Sequence, residues 1–341
     1  MLGPFIVGLS GLTLSAEDVA RIRSPHVGGL ILFSRNFESK AQLVDLVKAI
    51  RQSGGLNKPI FVDHEGGRVQ RFKAGFTRIP AMRVIGELAQ KDLDDGLALA
   101  RAAGFVMAAE LRACGIDMSF APVLDLDWGN SEIIGDRAFG VSPRLVSQLG
   151  GALMNGMILA GMQSCGKHFP GHGFVTADSH LDLPVDTRSL QEILKNDALP
   201  YQLNGTLNMA SVMPAHVVYE KVDLKPACFS RFWIEDVLRV QLGFDGAIIS
   251  DDLEMVGAHG EGDILNRASA ALRAGCDAVL CCNDFDAIDR LISNPVPEAN
   301  EGREVRHRRL ERLLGIDQNM DWDNLPKCYR YQAAVERLSD C

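Results

Sequence analysis

Short apolar runs alternate with helical patterns from one end of the chain to the other. The runs predict eight strands, at residues 4–9, 28–33, 59–63, 116–122, 161–167, 207–213, 245–250 and 276–281. Segments with helical periodicity fit between nearly all of them, which is typical of a parallel sheet covered by helices. Eight such units favour an α/β fold that closes into a single-domain (β/α)8 TIM-type barrel. An open, doubly wound sheet is the alternative.

Several residues mark the ends of the predicted helices. Ser15 and Ser39 can cap helices that reach about residues 23 and 51, and Pro143 suits the first turn of a helix that runs toward residue 160. Further helices are expected at residues 93–113, 189–203, 231–242 and 263–274. Glycines follow four of the helices, where a left-handed residue is common. Glycines inside the helices, such as Gly104 and Gly156, often allow a neighbouring element to approach closely.

The chain length of 341 residues suits one barrel with a short tail. We expect a barrel domain over residues 1–294, with a terminal helix and C-terminal extension over residues 295–341 packed on it. Hydrophobic residues make up 47% of the chain, which excludes an intrinsically disordered protein. The net charge of −9, without a long basic block, argues against a nucleic-acid partner.

The cysteines and the N-terminus bear on the cellular compartment. Most of the eight cysteines lie in apolar runs, and no C-x-x-C motif occurs, so we expect reduced thiols. The N-terminal apolar stretch lacks a basic leader and is interpreted as the first strand. No run of eighteen apolar residues occurs, so we expect no membrane span. These features together predict a cytoplasmic protein.

Ionisable residues concentrate after the predicted strands. DHEGGRVQR (63–71) follows the third strand, KHFPGHG (167–173) the fifth, and SDD (250–252) the seventh. The active site of a parallel barrel lies at the C-terminal ends of its strands, so these segments are expected to meet there.

Two groups in these segments suggest acid–base and nucleophilic chemistry. Asp178 and His180 are two residues apart, and a carboxylate that holds an imidazole fixes its tautomer. Asp251 and Asp252 follow a strand directly, where neighbouring side chains point to opposite sides. One of them is therefore expected to enter the barrel mouth as a nucleophile or base, while the other turns toward a loop.

The DHEGGRVQR segment offers acids and guanidinium groups that suit sugar hydroxyls. We expect Glu65 and Arg68 to form an internal salt bridge that supports this loop. Arg137, in the GDRAFG segment, could bind a hydroxyl or carboxylate, or simply pair with Asp136.

A zinc site is an alternative for the histidine-rich loop, because His168, His172, Asp178 and His180 are possible ligands. Lys167 would place a cation beside the metal, and no H-E-x-x-H motif occurs, so we expect no metal and no cofactor.

KHFPGHG followed by DSH, with D-x-EGGRVQR before it and SDDLEM after it, resembles glycoside hydrolase family 3. Within that family the chain is most similar to the bacterial β-N-acetylhexosaminidase branch, over roughly the first 290 residues. His64 stands where the family more often has Gln, so an altered neighbour could tune sugar contacts there.

The resemblance implies a role for each matching residue. The family's nucleophile corresponds to Asp251, its acid/base histidine to His180, and the partner of that histidine to Asp178. Sugar-binding positions correspond to the following residues: Asp63, Arg71, Arg137, Lys167 and His168.

The activity so implied is that of a retaining exo-β-N-acetylglucosaminidase. It would remove terminal GlcNAc from GlcNAc-1,6-anhydro-MurNAc peptides in peptidoglycan recycling, through a covalent intermediate on Asp251. A rival mechanism uses the substrate's own acetamide as the nucleophile. The expected partner is therefore a small amino-sugar substrate, with no membrane partner and a monomeric state.

Three other functions stay open at this point. The first is a broader family 3 exo-glycosidase of the β-glucosidase kind, although such relatives usually take their acid from a second domain. The second is a barrel lyase that forms a Schiff base on Lys167. The third is a non-catalytic sugar-binding barrel.

Overall fold

Eight parallel strands form the centre of the molecule. The structure is a computed structural model that describes residues 1–176, 183–204, 209–316 and 321–339. The strands are β1 Phe5–Gly8, β2 Val27–Leu32, β3 Ile60–Val62, β4 Met118–Ser119, β5 Cys165–Phe169, β6 Ser211–Pro214, β7 Ala247–Asp252 and β8 Ala278–Cys281. Their order in the sheet is β4-β3-β2-β1-β8-β7-β6-β5. Two isolated parallel bridges, Met118–Gln163 and Val123–Lys167, connect the two ends, so the sheet nearly closes. The predicted (β/α)8 barrel is confirmed.

Helices surround the strands. They are α1 Ala16–Arg23, α2 Lys40–Ile50, α3 Met82–Lys91, α4 Leu93–Ala113, α5 Pro143–Leu159, α6 Leu190–Lys195, α7 Leu199–Asn204, α8 Ile264–Ala274, α9 Phe285–Ser293, α10 Arg303–Glu311 and α11 Tyr329–Ser339, together with a π-helical segment, Phe232–Gln241. Ser15 and Ser39 cap α1 and α2 as predicted, and Pro143 lies in the first turn of α5. The sequence pattern did not predict α3 or α9.

Two predicted elements differ from the structure. The helix expected over residues 189–203 is broken into α6 and α7, because the Asn196 side chain donates to the Glu192 carbonyl at 2.9 Å and competes with the helical pattern. The fifth strand lies at Cys165–Phe169, later than the expected residues 161–167. Gly161 is left-handed, with φ of 75°, and ends the preceding helix before the strand can begin.

Apolar side chains fill both the barrel and the layer outside it. Inside, the Phe61 and Phe120 rings stack with centroids 5.0 Å apart, beside Ile6, Ile31 and Leu280. Outside, the strands pack against the helices in one larger core. A Cβ on Gly104 would lie 2.0 Å from the Leu153 carbonyl oxygen, so this glycine permits the close contact between α4 and α5.

Residues after 294 pack against the barrel, and Leu310 and Leu313 join the core inside it. The Tyr331 hydroxyl donates to Glu110 at 2.6 Å, and the Arg309 guanidinium donates to Asp277 at 3.1 Å. Short additional strands at His64–Gly66 and Val69–Gln70 pair as a hairpin above β3. No helix within the described ranges is long and apolar enough to cross a membrane. The seven cysteines that the structure describes are all free thiols.

Candidate active site

A cavity of about 500 Å³ opens at the C-terminal ends of the strands. Its walls combine apolar side chains such as Phe33, Phe120 and Met213 with a dense set of charged groups. Six of the eight predicted site residues line it: Asp63, Arg71, Arg137, Lys167, His168 and Asp251. The barrel therefore brings together residues that lie almost 190 positions apart in the chain.

Lys167, near the end of β5, is buried between two carboxylates. Its Nζ lies 2.8 Å from Asp63 Oδ1 and 2.8 Å from Glu65 Oε1. Burial alone would lower the pKa of Lys167, but the charges of Asp63 and Glu65 outweigh burial and raise it above its ordinary value. The side chain is thus a fixed cation, which suits the binding of a hydroxyl oxygen.

Glu65 also holds Arg137, and this pairing corrects two expectations. The Nε and Nη2 atoms of Arg137 each lie 2.8 Å from a carboxylate oxygen of Glu65, in a bidentate pair. The expected Glu65–Arg68 bridge is wrong, because Arg68 extends outward to Asp136 at 3.1 Å. The alternative pairing of Arg137 with Asp136 is also wrong, because Asp136 pairs with Arg68 while Arg137 pairs with Glu65.

Burial tends to raise the pKa of Glu65, whose side chain is 3% exposed. The adjacent Arg137 and Lys167 charges outweigh that tendency and hold the pKa well below its ordinary value. Glu65 is therefore ionised, and it orients both cations toward the cavity. Sequence reasoning missed this role, since the relevant partner stands 72 residues away.

Two further arginines lie near the mouth. Arg71 Nη2 is 3.5 Å from Asp63 Oδ2, and its guanidinium lies 5.7 Å from the centroid of the Phe33 ring. Arg35 donates to the Leu9 and Cys282 carbonyls, each at 2.8 Å, and to Asn283. Arg35 therefore links the ends of β1, β2 and β8.

Asp251 and Asp252, at the end of β7, both line the cavity. Asp252 also bonds to the loop that follows the strand, as expected for one of the two residues, and the register between β7 and β8 shifts at this point. The Asp252 amide donates to Asp251 Oδ1 at 2.8 Å. Asp252 Oδ1 in turn accepts the Glu254 amide at 3.1 Å.

The two carboxyls differ in their protonation. Burial tends to raise the pKa of Asp251, but the His168 and His216 charges, the Asp252 amide and Lys167 together hold it below its ordinary value. Burial, reinforced by the charge of Glu254, raises the pKa of Asp252 well above its ordinary value. Of the two side chains, Asp251 is therefore the one whose surroundings favour the ionised form.

His168 lies against Asp125, a residue that sequence reasoning did not select. His168 Nδ1 is 2.7 Å from Asp125 Oδ2, and the His172 amide donates to Asp125 Oδ1 at 2.7 Å. Asp125 stands in the sequence PVLDLD after β4, so the strand-end rule that located the other residues could have found it.

The remaining predicted residues, Asp178 and His180, lie outside the described residues.

Burial is the main reason that the pKa of His172 is lowered to about 4, so this imidazole is neutral. Within the ranges that the structure describes, no three His, Cys, Asp or Glu side chains are arranged to hold a metal ion.

His64 does not face the sugar cavity. It is buried against Phe72 and Phe76, with ring centroids 5.9 and 5.8 Å away, and burial lowers its pKa to about 3. His64 therefore makes no contact with the cavity itself, and its influence on the neighbouring Asp63 stays a prediction.

A larger cavity, of about 930 Å³, lies outside the barrel between α2 and the end of α4. Two of its cations, Arg51 and Arg112, are already paired with Asp117, at 2.5 and 3.1 Å. Size alone would favour this cavity, but the chemistry lies in the smaller one at the strand ends.

The comparison with known protein families shows to which family the chain belongs. The model of the glycosyl hydrolase family 3 N terminal domain matches residues 7–312. The chain belongs to glycosyl hydrolase family 3. It is therefore a glycoside hydrolase, and the expectations of a lyase and of a non-catalytic barrel are overturned.

Relatives in family 3 resemble the chain over almost its whole length. A beta-hexosaminidase of Bordetella avium is 52% identical over 335 residues, which cover 97% of this chain and 94% of that protein. Native NagZ from Neisseria gonorrhoeae superimposes with a TM-score of 0.93 at 44% identity, over 99% of this chain and 97% of that one. NagZ from the same organism in complex with N-trifluoroacetyl-D-glucosamine has a TM-score of 0.93 at 43% identity, over 99% and 98% of the two chains. The predicted resemblance to the β-N-acetylhexosaminidase branch is confirmed.

Proposed function

We propose that the protein is a retaining exo-β-N-acetylglucosaminidase in which Asp251 is the nucleophile. The observation that carries the proposal is the position of the Asp251 side chain at the end of β7, inside a cavity lined by paired cations and acids. The groups around Asp251 hold its pKa below the ordinary value, which agrees with this role. Retaining hydrolysis needs such a carboxylate close to the anomeric carbon. The beta-hexosaminidase name of the relatives and the N-acylated glucosamine bound by the Neisseria NagZ support an N-acetylated amino sugar as the substrate.

The charged residues around Asp251 have the chemistry to bind the sugar. Lys167 and Arg137 are cations fixed by Glu65, and Asp63 and Arg71 offer an acceptor and a donor on the same side. Together with His168 they are the proposed sugar-binding residues. Their mutual pairing keeps each side chain in place before the substrate arrives, which reduces the entropy lost on binding.

Among the described residues that line the cavity, the second carboxylate that glycosidases usually employ has no obvious counterpart. Glu65 is ionised and engaged by two cations, and Asp252 lies beside Asp251 on the same strand end. We therefore assign the acid/base role to His180, held by Asp178. The imidazole would protonate the leaving oxygen and then take a proton from the water that resolves the intermediate.

We assign the physiological substrate as GlcNAc linked to 1,6-anhydro-MurNAc peptides. The enzyme would then be cytoplasmic and serve peptidoglycan recycling, and so cell wall biogenesis, cell shape and cell division. We further propose a monomer, with residues 1–294 as the catalytic barrel and residues 295–341 as an extension packed on it.

The nucleophile is tested by trapping. A 2-deoxy-2-fluoro glycoside with an activated leaving group, in which fluorine replaces the acetamido group, should add its glycosyl mass to a peptide containing Asp251 in wild type and not in Asp251→Ala. Asp136→Asn, at an exposed aspartate near the cavity, is the matched control and should label like wild type. Turnover of the parent substrate without any labelling would instead favour attack by the substrate's own acetamide.

The acid/base assignment and the substrate are tested together. Wild type should hydrolyse an anhydro-muropeptide at higher kcat/KM than chitobiose, and His180→Ala should lose turnover of both. A preference for chitobiose would refute the proposed aglycone. Efficient hydrolysis of a β-glucoside would favour the broader exo-glycosidase.

A further inference from the structure

Asp125 lies against the end of β5 and the segment that follows it. Its side chain is fully buried, and three groups of His168 and His172 approach it. The His168 amide donates to it at 3.2 Å, the His172 amide at 2.7 Å, and His168 Nδ1 lies at 2.7 Å. Its carboxylate therefore accepts from both the backbone and the ring of the same histidine.

The contact determines which nitrogen of His168 carries hydrogen. Burial tends to raise the pKa of Asp125, but the charge of His168 and the donated hydrogen bonds outweigh it and keep the pKa below its ordinary value. An ionised carboxylate can only accept, so Nδ1 must hold a proton. The ring lines the cavity, and Nε2 is the nitrogen that remains for a ligand.

We infer that Asp125 is a positioning residue, which fixes the tautomer and ring orientation of His168 and thereby sets what Nε2 presents to the sugar. This inference rests on the proposed role of His168 in binding the substrate. Other contacts already hold the loop backbone: the Tyr219 hydroxyl donates to the Gly171 carbonyl at 2.8 Å, and the Leu124 amide to the Lys167 carbonyl at 2.7 Å. The backbone at residues 167–171 is therefore held by contacts that do not involve Asp125.

Asp125→Asn distinguishes positioning of the His168 ring from anchoring of the backbone, because it keeps the shape of the side chain. The amide oxygen can still accept the two backbone hydrogens, but its NH2 group then faces Nδ1. The ring can satisfy that donor only by moving its hydrogen to Nε2. We expect kcat/KM for a chromogenic GlcNAc β-glycoside to fall by about 10- to 100-fold, as is typical when the residue that orients a functional histidine is changed.

A double-mutant cycle provides the decisive measurement. If Asp125 acts through His168, Asp125→Asn should lower kcat/KM by less than about threefold further in a His168→Gln background. The control is Asp277→Asn, at a buried aspartate that accepts the Ile248 amide at 2.8 Å on the opposite end of the barrel. This variant should stay within about twofold of wild type at a temperature where it is folded.

The outcomes distinguish the inference from the proposed function. Multiplicative effects in the double variant, or an Asp125→Asn variant within twofold of wild type, would overturn the inference. An active His168→Gln variant would instead overturn the proposed role of His168, and the inference with it. If Asp125→Asn does not fold, 15N spectra of wild-type His168 decide: a protonated Nδ1 supports the inference, and a bare Nδ1 overturns it.

Discussion

Replacing Glu65 with Gln should destabilise the protein strongly, because it removes the negative charge from a buried network. Glu65 is 3% exposed and accepts from Lys167 Nζ and from two nitrogens of Arg137, each at 2.8 Å. Lys167 retains Asp63 as a partner, but the Glu65 charge that offsets the burial of Arg137 is lost. The amide oxygen of Gln keeps one acceptor, while its NH2 group faces a donor.

The magnitude follows from these contacts. Each charge-assisted hydrogen bond contributes about 1.5–3 kcal/mol, and removing one partner of a buried ion pair costs about 3–5 kcal/mol. Since one acceptor survives, we expect the free energy of unfolding to fall by about 3 kcal/mol at pH 7. The pKa of Glu65 is lowered on folding, so this stabilisation is present above pH 4.5 and is lost as pH falls toward the lowered value.

Equilibrium urea denaturation of wild type and Glu65→Gln measures the effect. Asp136→Asn is the control, because it removes an aspartate of similar chemistry whose partner Arg68 is about half exposed. An exposed pair contributes at most about 1 kcal/mol. If Glu65→Gln were no less stable than Asp136→Asn, the idea that Glu65 stabilises two buried cations would be refuted.

Two further predictions concern burial and packing. Burial keeps His64 neutral, with a pKa of about 3, so the unfolded state binds more protons than the folded state between about pH 6.5 and 3. From pH 6 to 5, wild type should therefore lose about 1.2 kcal/mol of stability that His64→Gln keeps. Equal losses for the two proteins in urea titrations would contradict this. Gly104→Ala should lower stability by about 1–3 kcal/mol because its Cβ meets the Leu153 carbonyl, whereas Gly260→Ala, with nothing within 4 Å, should change thermal unfolding little.

The sequence was informative wherever a feature depends on local order. Helix caps at Ser15 and Ser39 were predicted because the capping side chain acts within three residues. The location of the site was predicted because the ends of all parallel strands meet at one face of a barrel. Six proposed residues, from Asp63 to Asp251, consequently lie in one cavity.

Ion-pair and hydrogen-bond partners that lie on different strands of the barrel could not be predicted from the sequence. Glu65 pairs with Arg137 across 72 residues, although Arg68 is much nearer in sequence. Asp125 reaches His168 across 43 residues, and neither spacing carries a periodic signal. His64 likewise follows Asp63 directly in the chain, yet the hairpin places its ring among aromatic side chains of the core.

The order of apolar and polar residues is enough to predict the alternation of strands and helices, and with it the end of the barrel at which the ionisable residues gather. Local propensity and apolar periodicity suffice for that, because they act over one or two turns. Only the tertiary structure decided which charges neutralise each other, and which carboxylate at residues 251–252 is ionised. Those outcomes depend on distances of about 3 Å between distant segments and on burial, which arise when the sheet closes.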